Sequence, residues 1–281
     1  MTLVEIIRRF PLRSFVLLAC LFGWSPYLVS LLTGGAGAEN LPLGPLFATL
    51  VVVSCQGREE LRSWGRRIRN WRAAPSWYLL ALLAPVALQL LIVAANHGFG
   101  APLPTSSQLA DWPEVPVIFL TMLVFVGIGE EAGWTAFAAP ILLRRHGLPV
   151  AWVLASAMRI FWHLPLMISG DLPWFLGTVG NAAFTMVTLQ LLTASDGRWT
   201  LAAVWHAALN ATGGLFFFTM VSGADRVRLG YLLASVYAVT ATAAYLVWTR
   251  DNTSSAGAAP SGAAVIGAVP RRPTSGGSHD K

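Results

Sequence analysis

Two adjacent carboxylates, Glu130 and Glu131, close a run from Val115 to Gly129 that carries no charge. An ionised carboxylate at mid-membrane costs about 3 kcal/mol or more, so such residues face a polar interior and mark functional sites. The other strongly polar groups at similar depth in apolar runs are His163, His206 and Asn210. These residue types suit hydrolysis of an amide, which needs an activated water, a group to stabilise the oxyanion and a proton for the leaving amine. A glutamate shielded from water can act first as base and then as acid. Histidines can orient the water or bind Zn²⁺, and the Asn210 amide can donate to the oxyanion. Glu130, His163 and His206 would also make an acceptable catalytic zinc set. The sequence has no His-Glu-x-x-His motif, so spacing leaves zinc and metal-free chemistry both open.

The elements that must position these groups can be placed by counting from the basic residues that flank each apolar run. Glu130 lies 14 residues before Arg144, about 21 Å at the helical rise. His163 lies 15 residues after Leu148, about 22 Å in. His206 and Asn210 follow Arg198 by 8 and 12 residues, about 12 and 18 Å. All four can therefore meet in one layer of a hydrocarbon core about 30 Å thick. His206 and Asn210 stand at i and i+4, on one helix face, and Arg159 and His163 have the same relation.

Composition agrees with a chain that lives in lipid. Of its 281 residues 55% are hydrophobic and 11% charged, against about 25% charged in a soluble domain, and the mean hydropathy is +0.60. The expected fold is all-α, a polytopic membrane bundle of about eight transmembrane helices, with spans near 14–32, 43–55, 77–95, 115–143, 148–168, 174–193, 200–221 and 230–249. The fourth is long for one crossing and should bend or emerge after Trp134. The first run is expected to be an uncleaved helix, although Ala36-Gly37-Ala38 resembles a signal-peptide cleavage site.

The domains expected are N-terminal spans with a basic connection (1–114), a helical core (115–221), a last span (222–250) and a disordered Gly/Ala/Pro/Ser tail (251–281). The net charge of +6 does not imply nucleic acid, because its basic residues sit between spans, where they set topology. With an internal N-terminus, 16 of the 19 basic residues fall on one side, two (Arg226, Arg228) on the other and one (Arg159) within a span. That bias predicts a multi-pass protein of the cell membrane with both termini cytoplasmic. The stretch 58–72 holds six arginines with Trp64 and Trp71 and reads as a connection on anionic headgroups or as an ordinary positive-inside loop. Cys20 and Cys55 read as small hydrophobes.

Glu130-Glu131-Ala132-Gly133-Trp134, Trp162-His163-Leu164-Pro165 and His206-Ala207-Ala208-Leu209-Asn210 resemble, in order, the motifs of the CPBP family. That family comprises CAAX-processing and bacteriocin-processing intramembrane endopeptidases, also called the Abi or type II CAAX family. The resemblance spans about 115–214. It implies that Glu130 activates water with His163, that His206 and Asn210 stabilise the oxyanion, and that Glu131 belongs to the site. It implies a peptide or protein substrate at the lipid bilayer and leaves the cofactor as Zn²⁺ or none. Two positions depart from the pattern: Thr135 stands where the family has Arg, and Arg159 where it has Phe. Arg159 is therefore expected to supply from the neighbouring helix the partner that Glu131 lacks.

Other readings remain at this stage. Intramembrane Glu and His also serve proton- or cation-coupled transporters, although no internal repeat supports that, and a catalytically silent immunity or scaffold protein could share the fold. A Glu-Glu pair can be a solvated helix end, His163 a helix–helix hydrogen-bonding residue, and Trp134, Trp162 and Trp205 packing residues. Asn181 and Gln190 can bond within the bundle or line the site. The expected activity is cleavage of peptides near the cytoplasmic face.

Overall fold

The computed structural model describes residues 1–35 and 40–257, with side chains to Arg250. Residues 1–245 form one compact unit, and a second begins at Leu246, helical to Gly257. The expected disordered tail thus starts as helix over 251–257; 258–281 and the cleavage-like Ala36–Ala38 lie outside the described residues.

Among the described residues the protein is helical, as apolar runs must be in lipid, where backbone groups can be satisfied only within the segment. Four helices are long and apolar enough to cross a membrane, or five if the bent pair Pro11–Gly23 and Ser25–Thr33 is one span. The expected eight is not reached on this criterion, for identifiable reasons. The second run makes a helix of only 13 residues, Gly44–Gln56. The sixth is divided between a π-helical Leu176–Gly180 and a 14-residue helix, Asn181–Ala194. The fourth and fifth runs are counted as one helix because the chain reverses without a loop. Gly147 alone breaks it, at φ 72°, ψ 175°, a backbone state that suits glycine.

The molecule has two distinguishable ends. At the basic end, the helix Arg58–Ile68 buries Trp64 against the glutamate-bearing segment, its indole donating to the Ala132 carbonyl at 3.2 Å. There Arg198 Nε donates to the Arg72 carbonyl (2.9 Å), Trp199 Nε1 to the Ile68 carbonyl (3.2 Å), and Tyr78 and Thr200 share a hydrogen bond (2.8 Å). The helix Pro75–Gly98 leads from this end to the opposite one, where Asn96 is bonded to the Asp225 carbonyl (3.1 Å) and accepts from Arg228 (2.7 Å).

Two glycines allow the approaches on which the site depends. A Cβ on Gly127 would lie 2.6 Å from the Ala203 carbonyl oxygen, and one on Gly133 would lie 2.7 Å from that of Pro45. Without side chains there, the glutamate segment touches the backbone of the helix Thr200–Leu209 on one side and of Gly44–Gln56 on the other.

Candidate active site

Four short π-helical stretches bracket the polar residues. Leu123–Ile128 and Trp134–Ala138 enclose the turn Gly129–Gly133 that carries both glutamates. Asn210–Gly214 opens on Asn210, and Leu176–Gly180 ends at Asn181. Such widened turns re-aim side chains and recur at functional sites.

The two glutamates, though adjacent, meet different surroundings. Glu131 is fully buried and held through both oxygens: Arg159 Nη2 donates to Oε2 at 2.5 Å, the Thr135 hydroxyl donates to the same atom, and His206 Nδ1 meets Oε1 at 2.9 Å. The Arg159 guanidinium, 2% exposed, lies between the rings of Trp134 and Phe184, with centroids 5.6 and 5.1 Å from its carbon. Buried in this way, an arginine is retained only by ionic and cation–π partners. Glu130 is 4% exposed, and its Oε2 faces Arg159 Nη1 at 3.9 Å. Neither atom has a hydrogen-bond partner.

The histidines and amides border a cavity of about 640 Å³. His163, His206, Asn181 and Asn210 are on its wall, among apolar side chains such as Leu166, Phe184 and Leu233. His163 Nδ1 is bonded to the Arg159 carbonyl at 2.8 Å. A carbonyl only accepts, so Nδ1 carries the hydrogen and Nε2 is left with its lone pair. Asn210 uses one amide hydrogen on the His206 carbonyl (3.1 Å), which leaves the other. Glu130 is not on the cavity wall. It joins the cavity through His206, since one atom each of Glu130, Glu131 and His206 lie within 4.8 Å of one another.

The structure therefore brings together Glu130, Glu131, Arg159 and His206, and places His163 and Asn210 on the adjoining wall. Gln190 is not on that wall, and its amide nitrogen is buried without a partner. The cavity reaches away from the basic end: Asp171 and Arg226, both exposed, line it, and no residue of 58–72, 144–145 or 198 does. That differs from the expectation of a site near the basic, cytoplasmic face. Its cause is local, since the turn after His163 and the start of the last helix leave the space unfilled at the far end.

Metal binding can be tested against these atoms. The set expected from sequence, Glu130, His163 and His206, does not form one compact group; among the described residues the compact group is Glu130, Glu131 and His206. Both oxygens of Glu131 are already committed, one to a guanidinium at 2.5 Å. A divalent ion there would displace Arg159 or stand beside its charge. As arranged, these residues do not fit a metal.

Sequence reasoning missed several supporting residues. The Trp162 carbonyl, next to His163, accepts from Trp24 Nε1 (2.8 Å) and Asn40 Nδ2 (3.0 Å). The Trp162 indole in turn donates to the Ala19 carbonyl at 3.0 Å. The Phe184 ring packs against His206, tilted by 51° with centroids 4.5 Å apart. Pro165, which has no N–H to donate, marks a helix break close to this carbonyl but does not point to Trp24 or Asn40 as the donors.

No curated protein matches the chain. Residues 112–212 match the model of a family described as type II CAAX prenyl endopeptidase, Rce1-like. The matched stretch contains both glutamates, Arg159, His163, His206 and Asn210, and does not favour the transporter or silent-scaffold readings. With several apolar helices around this site, the match supports the protein as a CPBP-family intramembrane protease.

Proposed function

We propose that the protein is an intramembrane endopeptidase in which Glu130 activates water and no metal takes part. The observation that carries this reading is the unequal treatment of the two glutamates. Glu131 is saturated by Arg159, Thr135 and His206, whereas Glu130 keeps a buried oxygen with no hydrogen-bond partner. A carboxylate held beside a guanidinium but not bonded to it has a lone pair to take a proton from water. His163, with Nε2 unprotonated toward the cavity, can hold the same water as acceptor. His206, oriented by Glu131 through Nδ1, and the spare Asn210 hydrogen border the space where a carbonyl oxygen would gain charge. The proton taken by Glu130 then passes to the leaving amine, which closes the balance. The apolar cavity wall suits a peptide segment with hydrophobic side chains, so the substrate class is a membrane-associated peptide or protein. We also place the basic end in the cytoplasm, on the distribution of arginines.

The test is purified protein in detergent, incubated with a peptide library and read by mass spectrometry. Wild type should yield internal cleavages that disappear in Glu130→Gln while thermal unfolding stays unchanged. Cleavage that survives in Glu130→Gln would remove this glutamate from the reaction.

A further inference from the structure

We propose that the arginine face of the helix Arg58–Ile68 is a docking surface for the headgroups of anionic phospholipids, and that the docked lipid steadies the glutamate segment through Trp64. The proposal stands apart from the peptidase reading, because neither the surface nor its readout involves cleavage.

The first observation is how this helix divides its two sides. Arg58, Arg62, Arg66 and the C-cap Arg69 follow at intervals of four, four and three residues, which puts them on one face, and all four are exposed. Trp64, two residues from both Arg62 and Arg66, projects from the opposite face and is buried. The second observation is that these cations are unanswered. Among the described residues the ion pairs of arginine belong to Arg159, Arg198 and Arg228, and none involves an arginine of 58–72 or Arg144. Glu59 and Glu60 leave the stretch 58–72 with six arginines against two carboxylates. Arg67 sharpens the excess. Burial and then the nearby charge of Arg144 lower its pKa from the ordinary arginine value, and its Nε is buried with no hydrogen-bond partner. An anion shared between such cations would relieve their repulsion.

Two further observations select lipid as the occupant. The helix is tied at one end to the apolar Gly44–Gln56 through Gly57, at φ 115°, and at the other to the span Pro75–Gly98 through residues 69–74. A segment tethered so closely to both stays beside the bilayer surface, where anionic lipids attract juxtamembrane basic groups. Among the arginines, Trp71 is 55% and Leu61 39% exposed, and the Arg72 guanidinium stands 5.7 Å from the Trp71 ring centroid. An exposed tryptophan beside arginines matches the boundary between headgroups and acyl chains, a feature that an acidic peptide would not require. The link inward is Trp64, whose indole donates to the Ala132 carbonyl at 3.2 Å, in the turn that carries both glutamates. Headgroups drawn onto the outer face therefore hold the inner face against that turn.

The experiment places the full-length protein in nanodiscs of phosphatidylcholine, alone or mixed with phosphatidylglycerol, and follows thermal unfolding by tryptophan fluorescence. The anionic lipid should raise the unfolding temperature. Salt should remove the increment, since at about 1 M ionic strength exposed charges are screened beyond about 3 Å. Arg58→Gln, Arg62→Gln, Arg66→Gln and Arg69→Gln together should leave the temperature in phosphatidylcholine unchanged and abolish the increment, whereas lysine at the same positions should retain it. Native mass spectrometry of protein from mixed discs should show a matching loss of bound phosphatidylglycerol, about fivefold for each arginine removed. Trp64→Phe should keep the bound lipid and lose most of the increment. Equal unfolding temperatures in the two lipids, or an increment that survives in the glutamine variant, would reduce the stretch to an ordinary positive-inside loop and overturn the proposal. Should the glutamine variant not fold, wild type decides: an increment that salt does not touch overturns it as well. A full increment in Trp64→Phe would overturn the inward link. A soluble polyglutamate peptide that reproduces the increment in phosphatidylcholine would assign the face to an acidic protein partner instead.

Discussion

The site has two halves built on opposite principles. On one side lies a dry cluster of Glu131, Arg159, Thr135 and the Nδ1 edge of His206, in which the charged groups are closed on one another. On the other lies the cavity, whose polar residues each keep an unused atom: Nε2 of His163, one amide hydrogen of Asn210, and the face of His206 toward the space. Glu130 stands at the seam. A fully satisfied buried network fixes geometry, whereas a site for chemistry needs groups whose hydrogen-bonding capacity is incomplete. In the function proposed above, adjacent residues of the same type divide the work, Glu131 for structure and Glu130 for reaction.

The largest effect should come from breaking the dry half. Arg159→Phe leaves Glu131 buried without its cation, and removing one partner of a buried pair costs about 3–5 kcal/mol. We expect loss of folded protein by size-exclusion in detergent, with partial recovery on adding Thr135→Arg, whose side chain would rise from the next turn. A stable, active single variant would mean the cluster holds nothing together.

The seam should respond in the opposite way. Glu130→Gln should lower kcat by about 10²–10⁴-fold, the contribution of a general base, and leave the unfolding temperature within error. Glu131→Gln should lower stability first and activity only with it. If both substitutions act alike, the division between the glutamates is wrong.

A smaller effect tests how closely the halves are joined. Gly127→Ala would push a methyl against the Ala203 carbonyl, 2.6 Å away, and separate the glutamate segment from the His206 helix. Overpacking of this kind costs about 1–3 kcal/mol. Activity should fall more than stability does, because the His206–Glu131 contact lengthens.

Loss of a supporting donor should be milder. Trp24→Phe removes one of two hydrogen bonds to the Trp162 carbonyl, worth about 1 kcal/mol, and Asn40→Leu should do the same. Combined, they should reduce kcat by freeing the His163 turn, measured beside an unchanged Glu130–Arg159 half. The smallest expected effect is none: treatment with a strong zinc chelator should leave peptide cleavage unaltered. Inactivation reversed by added Zn²⁺ would replace the metal-free reading.

Much of the dry half was legible in the sequence because lipid is an unforgiving solvent. Glu131 and Arg159 are charges in apolar runs, each must find a counterion, and counting from Arg144 and Leu148 put Glu130 and His163, beside them in the chain, at one depth. The exchange of Arg and Thr135 against Phe and Arg159 named the partner. The cavity was less legible. Its direction depends on the space left after His163 and before the last helix, and no residue pattern encodes an absence of packing. Trp24 and Asn40 act through a backbone carbonyl, so their targets leave no trace in residue type. The count of about eight spans is not confirmed, because two of the apolar runs form helices of only 13 and 14 residues and the first bends at Trp24, and hydropathy does not register where a helix breaks.

The π-helical turns have a consequence for how this sequence tolerates change in length. A π turn holds one residue more than the α-helix it interrupts, and each residue advances a helix by about 100°. Deleting one residue within Leu123–Ile128 would restore regular winding and swing Glu130 and Glu131 away from His206 together. A deletion within Asn210–Gly214 would leave Asn210 in place and rotate only the residues C-terminal to it. Alignment gaps in the chain's descendants should therefore be excluded most strictly from the first stretch, where both glutamates would move, whereas in the second they would move the cavity wall that follows Asn210.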